Sequence, residues 1–252
     1  MPPTVATQLL TSLERDPGAH AARFDADSAL AGRVAVLPAA FNPPTLAHLH
    51  LLQLAAREPG VDSAAALLST RNVDKALQGA TLPQRIDMLL ALAESHPFAV
   101  LATNQARLAD QSHALQASFP GVDFDFVVGY DTLVRLFDER YYDDMGADLA
   151  AFFERHRLIA TNRAHHSTAE VERFIREHPL AATHAARILV RTLDDEPASY
   201  SSTASRNHAS AGEDLPQLPP PVAAYIRTHN LYRSGPATTV SPAPRPPQSP
   251  ER

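Results

Sequence analysis

The chain has 252 residues, a length that suits one large α/β domain or one domain with extensions. Its formal net charge of −6 argues against nucleic acid as a partner, so the cations that hold any anionic ligand must be local. The absence of cysteine excludes disulfides and thiolate metal sites and is compatible with a cytoplasmic location. We expect neither a signal peptide nor a membrane span, because no basic segment precedes an apolar run and no apolar stretch is long enough.

The two ends of the chain differ in composition from its centre. Residues 4–14 show an amphipathic pattern that predicts a short helix, and residues 16–31 are rich in Ala and Asp, which predicts irregular structure. Residues 234–252 are rich in Pro and Ser, a composition typical of a disordered tail. We therefore expect an extension over residues 1–31, one domain over 32–233 and the tail.

From residue 33 onward, strand-like and helix-like patterns alternate. Apolar runs of strand length occur at 33–38, 64–70, 98–104, 123–130, 157–161 and 186–192. Helical patterns occur at 45–57, 81–96, 107–118, 131–137, 167–178, 202–211 and 221–229, and capping boxes open two of them, Thr81 with Gln84 and Ser167 with Glu170. This alternation predicts an α/β fold with a Rossmann-like, doubly wound, mostly parallel sheet and helices on both faces.

The turn after the first strand, "AAFNPPTLAH" at 39–48, is the first candidate site. Ligands of open parallel sheets bind beyond the carboxyl ends of the strands, and the N-terminus of a helix there favours an anion such as phosphate. Pro43 and Pro44 stiffen the bend, and the spacing of Thr45 and His48 turns both toward the same bound group. The alternative is an N-cap threonine followed by a core histidine.

A second candidate lies late in the chain. Ser201, Ser202 and Thr203 open the helix predicted at 202–211, and their hydroxyls and free N–H groups form an anion site. Arg206, one turn further on, can grip a phosphate with its forked guanidinium. The alternative is an ordinary N-cap with an exposed arginine.

The first segment resembles the signature of nucleotidyltransferases with an H/T-x-G-H motif, especially the nicotinamide- and nicotinate-mononucleotide adenylyltransferases. The matching residues are Phe41, Asn42, Pro43, Thr45 and His48. Ala39 stands where glycine is usual, and Ala40 where a small polar residue is usual. Either the alanine is strained, if the backbone at 39 needs a positive φ, or its methyl group crowds the ligand.

Three further segments resemble this family in the same order along the chain. "VVGYDTLVRLF" resembles its G-x-D segment, with Gly129 and Asp131. "SYSSTASR" resembles its late I-S-x-T-x-x-R motif, with Tyr200 at the usual isoleucine position; the matching residues are Ser202, Thr203 and Arg206. Lys75 follows the second strand, where family members often carry a lysine, although a loop lysine is usually solvated.

The resemblance implies transfer of the adenylyl group of ATP to nicotinamide mononucleotide, giving NAD and pyrophosphate. His48 and Thr45 would bind the α-phosphate, Arg206 and Ser202 would hold the departing phosphates, and Lys75 would bridge the two substrates. The remaining nucleotide-binding residues implied are Ala40, Phe41, Asn42, Gly129, Asp131 and Thr203. Mg²⁺ would be carried mainly by the ATP phosphates, without a dedicated protein site.

Other cations and other functions stay open at this point. Arg163, after the fifth strand, lies at the correct edge of the sheet to contact a substrate phosphate, whereas Arg71 and Arg85 carry less weight. Asp131 is either an N-cap or a ligand for ribose hydroxyls or a hydrated metal. The alternatives are another acceptor phosphate, nicotinate mononucleotide included, or a nucleotide-binding protein with slow ATPase activity. The oligomeric state, a homo-oligomer included, is not fixed by the sequence.

Overall fold

The computed structural model describes residues 5–26, 29–71, 79–163 and 166–233, which form one seven-stranded sheet in the order β1-β4-β3-β2-β5-β6-β7. β1 is antiparallel to β4, and every other pairing is parallel. The strands are β1 Ala21–Arg23, β2 Arg33–Ala39, β3 Ser63–Ser69, β4 Ala99–Thr103, β5 Asp123–Gly129, β6 Arg157–Thr161 and β7 Ile188–Arg191. This architecture confirms the predicted α/β class and mostly parallel sheet.

Helices cover both faces of the sheet. The helices are α1 Val5–Arg15, α2 Leu46–Ala55, α3 Leu82–Ala93, α4 Leu108–Ser118, α5 Tyr130–Leu136, α6 Met145–Arg155, α7 Thr168–Glu177, α8 Pro179–Thr183, α9 Asp195–Ser199, α10 Ser202–Ala211 and α11 Pro220–Thr228. Successive residues of β2 belong to different cores, since Ala35 packs in one apolar cluster and Val36 in the other. The alternation follows from the two-residue period of a strand whose two faces are both buried.

The local signals explain where the helices begin. In α3, Thr81 is the N-cap and its hydroxyl accepts from the backbone N–H of Gln84, while Ser167 caps α7 in the same way with Glu170. Both capping boxes predicted from the sequence are therefore confirmed. No helix among the described residues is both long enough and apolar enough to cross a bilayer.

Strand β1 and the helices α6, α8 and α9 were not predicted from the sequence. Residues 16–31 were predicted to be irregular, but Ala21–Arg23 forms β1, which pairs with β4 and covers that edge of the sheet. The sequence analysis contained no helix at α6, although its Leu149, Phe152 and Phe153 are spaced to form one buried face. The tail at 234–252 lies outside the described residues.

The amino ends of three adjacent strands are held by one buried carboxylate. Asp125 of β5 has no exposed side-chain surface and accepts from Arg33 Nη1 at 2.9 Å and from Arg157 Nε at 3.0 Å. Arg33 opens β2 and Arg157 opens β6, so the cluster fixes the register of these strands. It lies at the edge of the sheet opposite the carboxyl ends, where a ligand would bind.

Candidate active site

The candidate site lies where the winding of the sheet reverses. β2 and β5 are neighbours, and the chain proceeds from β2 to β3 on one side and from β5 to β6 on the other. In such sheets the crevice beyond the carboxyl ends at this point binds the ligand. Here a narrow cleft of about 50 Å³ is bounded by residues from the ends of β2, β5 and β6 and by the segment before α10. This volume is smaller than the roughly 300–1,000 Å³ that ligand pockets commonly measure.

The end of β2 decides between the two expectations for Ala39. Ala39 is still part of β2, where it pairs with Leu68 of β3, and its φ is not positive. An alanine at this position is therefore not strained. Its side chain borders the cleft, so the second expectation, crowding of the ligand by the methyl group, is the one that the geometry leaves.

Two residues later the backbone does adopt an unusual conformation. Phe41 has a φ of 45°, and its ring is buried, with only 1% of the residue exposed. The ring centroid lies 5.0 Å from that of His48. The side chain of Phe41 therefore belongs to the core beneath the histidine, and only its backbone can face a ligand.

Thr45 and His48 contact each other directly. Thr45 is the N-cap of α2, and its backbone N–H donates to His48 Nδ1 at 2.9 Å; its Oγ1 lies at the same distance from that nitrogen. Because Nδ1 accepts a hydrogen bond from a backbone N–H, the proton of the neutral imidazole is on Nε2. Thr45 is itself fully buried, which makes it a support for the ring.

The charge state of His48 follows from its surroundings. Burial, and next the positive charge of Arg163, lower the pKa of His48 to about 3. At neutral pH the imidazole is therefore uncharged and has one N–H, at Nε2, that is not used by Thr45. Such a group can donate a hydrogen bond to an oxygen that gains negative charge.

The opposite wall of the cleft is built by the ends of β5 and β6. Gly129 ends β5, and Arg163 passes so close to it that a Cβ at position 129 would lie 3.3 Å from Arg163 Cδ. Glycine therefore allows the arginine side chain to lie against the backbone of β5. Asp131, in contrast, is exposed in the first turn of α5 and does not border the cleft.

The late motif meets the first one at the loop between β2 and α2. Ser201 caps α10 through the backbone N–H of Ala204. Ser202 Oγ donates to the carbonyl of Pro43 at 2.8 Å, and Arg206 Nη1 donates to the carbonyl of Asn42 at 2.7 Å. The two helix openings are thus joined through one loop. Arg206 lies beside this loop and is not part of the cleft wall.

The remaining motif residues lie partly at the cleft and partly away from it. Tyr200 borders the cleft, and its hydroxyl donates a hydrogen bond to Glu196 Oε1. Thr203 is exposed, and its Oγ1 accepts from Arg206 Nη2 at 3.1 Å. Ala40 is exposed at the end of β2. Lys75 lies outside the described residues.

One arginine that the sequence did not single out is buried beside the loop after β2. Arg85 is 1% exposed, and it donates through Nε to the carbonyl of Ala80 and through Nη1 to that of Ala40. The helical spacing already indicates burial of Arg85, because it falls on the same face of α3 as the buried Leu89 and Leu92. An arginine on an apolar helix face is rare without a charged partner.

Comparison with known proteins agrees with the resemblance found in the sequence. No family model matches the chain. The chain is 29% identical over 211 residues to the "Probable nicotinate-nucleotide adenylyltransferase" of Bordetella pertussis, covering 80% of this chain and 98% of that protein. It is also 29% identical over 133 residues to a Schizosaccharomyces pombe protein named for nicotinamide mononucleotide adenylyltransfer, covering 51% of this chain and 52% of that protein.

Solved structures share the fold. The Plasmodium falciparum nicotinic acid mononucleotide adenylyltransferase complexed with NaAD superposes with a TM-score of 0.62 at 16% identity, over 79% of this chain and 97% of that one. A structure of the same enzyme complexed with APC gives a TM-score of 0.61 at 14% identity, over 80% and 97%. The motifs, the curated relatives and the fold agree, and the resemblance to the nucleotidyltransferase superfamily is confirmed.

Proposed function

We propose that this chain, a nucleotidyltransferase-class enzyme, transfers the adenylyl group of ATP to the phosphate of a pyridine mononucleotide and releases pyrophosphate. The observation that carries the proposal is the pairing of His48 with Thr45 at the switch point of the sheet. That pairing fixes an uncharged imidazole with its Nε2–H directed away from its own helix cap. The sequence motif favours nicotinamide mononucleotide, while most of the relatives are named for nicotinate mononucleotide.

The reaction needs positioning and charge stabilisation more than acid–base chemistry. An oxygen of the acceptor phosphate attacks the α-phosphorus of ATP, the bond from that phosphorus to the α,β-bridging oxygen breaks, and pyrophosphate departs with the electron pair. The attacking oxygen is already anionic, so no general base is required. The chain therefore contributes by holding two anions close together and by donating hydrogen bonds to the oxygens of the α-phosphate.

Each group of side chains has a place in this scheme. His48 donates from Nε2 to an α-phosphate oxygen, and Thr45 keeps the ring in the required tautomer. Arg206 and Ser202, at the start of α10, hold the departing phosphates; both already donate to carbonyls of the loop that borders the site. Arg163, exposed beside Gly129, is placed to meet the acceptor phosphate.

Mg²⁺ fits this site as an ion brought by ATP. In the described part of the chain no three His, Asp or Glu side chains lie close enough together to hold a metal. Mg²⁺ usually keeps several waters and is held by substrate phosphates together with one or two carboxylates. Bound to the ATP phosphates, the ion would neutralise part of their charge, and the cations of the chain would balance the remainder.

The experiment is an acceptor panel. The purified chain is incubated with Mg-ATP and one acceptor at a time: nicotinamide mononucleotide, nicotinate mononucleotide or phosphopantetheine. Acceptors of cytidylyl groups are tested in the same way with Mg-CTP. The products are separated by chromatography. A dinucleotide formed with one of the two pyridine mononucleotides supports the proposal, and the ratio of kcat/KM values identifies the acceptor. Release of ADP or AMP without any dinucleotide would instead support a nucleotide-binding protein with slow ATPase activity.

A further inference from the structure

Arg85 is a buried cation whose hydrogen-bonding capacity is only partly used. Its Nε donates to the carbonyl of Ala80 at 2.8 Å and its Nη1 to that of Ala40 at 3.4 Å. Nη2 is enclosed and has no hydrogen-bond partner within the described ranges. No carboxylate of those ranges forms an ion pair with it. A buried guanidinium in such surroundings is costly unless an anion completes them.

A second arginine reaches the same loop. Arg206 Nη1 donates to the carbonyl of Asn42, two residues beyond the Ala40 carbonyl that Arg85 contacts. Burial lowers the pKa of Arg85; Tyr232 opposes this shift, and the positive charge of Arg206 adds to it. The hydroxyl of Tyr232 donates to Asn42 Oδ1 at 2.9 Å, on the same loop.

We propose that Arg85 and Arg206 together form the subsite for the β- and γ-phosphates of the nucleoside triphosphate, with Arg85 as the inner cation. Arg206 is the outer, partly exposed member, which grips phosphate oxygens with its fork. Arg85 stands behind the loop carbonyls and supplies a second positive charge together with the unused N–H at Nη2. Because Arg85 is 1% exposed, solvent and salt screen its charge little.

This inference rests on the proposed function and adds a residue to it. Pyrophosphate, the leaving group of the reaction, consists of the two phosphates that the subsite would hold. AMP carries the adenosine and the α-phosphate but neither of these two groups. Arg85 should therefore contribute to the binding affinity for ATP and pyrophosphate and should not contribute to the affinity for AMP.

The test compares three variants with the wild-type chain by calorimetry. Arg85→Met removes the charge and keeps most of the volume, and Arg85→Lys keeps the charge. Arg157→Met is the matched control, because Arg157 holds the buried Asp125 at the opposite edge of the sheet. For each protein the Kd values of Mg-ATP, pyrophosphate and AMP are measured by titration, and the melting temperature is measured without ligand.

We expect Arg85→Met to weaken Mg-ATP and pyrophosphate binding by about tenfold or more, the usual loss for a charge-assisted hydrogen bond, and to change AMP binding by less than about twofold. The ligand-free melting temperature of this variant should be unchanged or higher, since an unpaired buried charge is gone. Arg85→Lys should retain most of the affinity for pyrophosphate. Arg157→Met should lower the melting temperature and leave ATP binding as it is.

Other outcomes would overturn the inference. Unchanged ATP and pyrophosphate affinity in Arg85→Met, or equal losses for ATP and AMP, would show that Arg85 does not serve the two terminal phosphates. A lower melting temperature with losses that Arg85→Lys does not restore would make it a clamp on Ala40 and Ala80. Should Arg85→Met fail to fold, the lysine variant decides: retained pyrophosphate affinity supports the charge, and lost affinity opposes it. A wild-type chain that makes no dinucleotide would overturn the proposed function, yet leave this binding comparison valid.

Discussion

The backbone N–H of Thr45 donates to Nδ1 of His48 across 2.9 Å. Thr45 therefore has two roles: it is the N-cap of α2, and its N–H sets the tautomer of His48 one turn later. The sequence left two possibilities open here, a pair facing a ligand or an N-cap with a core histidine, and the geometry combines parts of both. Thr45 is a buried N-cap, and His48 borders the cleft with its other nitrogen unused by that cap.

Replacing His48 tests this unit most directly. We expect His48→Ala to lower kcat by at least about a hundredfold, near the loss of one transition-state hydrogen-bond donor. The matched control is His50→Ala on the same helix, which should change kcat by less than about threefold because its ring does not border the cleft. The measurement is the steady-state rate of dinucleotide formation at saturating ATP. Wild-type turnover in His48→Ala would refute the assignment.

Arg206 is expected to act on ATP and not on the acceptor. Arg206→Ala should raise the KM for ATP by about tenfold, since a forked contact to phosphate is lost, and should change the KM for the mononucleotide by less than about threefold. Arg227→Ala, which removes an exposed arginine from α11, serves as the control for a general change in charge. Equal rises in both KM values would point to a displaced loop, because Arg206 also holds the carbonyl of Asn42.

The methyl group of Ala39 offers a prediction of gained activity. Ala39 borders the cleft from within a regular strand, so Ala39→Gly removes one methyl group without relieving any backbone strain. We expect a lower KM for ATP or a higher kcat, together with a loss of stability of about 1 kcal/mol from the added chain entropy. Kinetics and urea denaturation of the same preparation check both parts. Unaltered kinetics would mean that the methyl group does not contact the substrate.

Stability should fall on mild acidification. Burial lowers the pKa of His48 to about 3 and that of His156 to about 4, whereas an unfolded histidine titrates near 6.5. Between about pH 6.5 and 4 the unfolded chain therefore binds more protons than the folded chain. The free energy of unfolding then decreases with falling pH, by up to roughly 1.4 kcal/mol per pH unit for each histidine, and is insensitive to both groups above about pH 7.

Urea denaturation at pH 7, 6 and 5 measures this dependence. His156→Gln removes one of the two titrating rings while offering an amide to the carbonyl of Phe124, which the imidazole contacts at 3.1 Å. The variant should lose about half of the slope. An identical slope in the variant and the wild-type chain would show that His156 is not neutral in the folded protein.

The parallel sheet and the first loop were predictable because both depend on local signals. An apolar run of strand length, two prolines and a good N-cap need no distant partner to be recognised. The surroundings of Arg85 were not predictable in this way. They include the carbonyl of Ala40, 45 positions away in the chain, and the charge of Arg206 from α10. The same holds for β1, whose three residues have strand structure only because β4 offers them an edge.

The pairing of β1 with β4 makes the first part of the chain a structural part of the domain. Asn104, fully buried just after β4, donates from Nδ2 to the carbonyls of Asp16 and Gly18 and accepts at Oδ1 from the N–H of His20. A chain shortened to begin at residue 32 would leave this amide without those partners and would present the bare margin of β4 to other molecules. We therefore expect a stable folding unit to include residues 16–23, upstream of the first parallel strand.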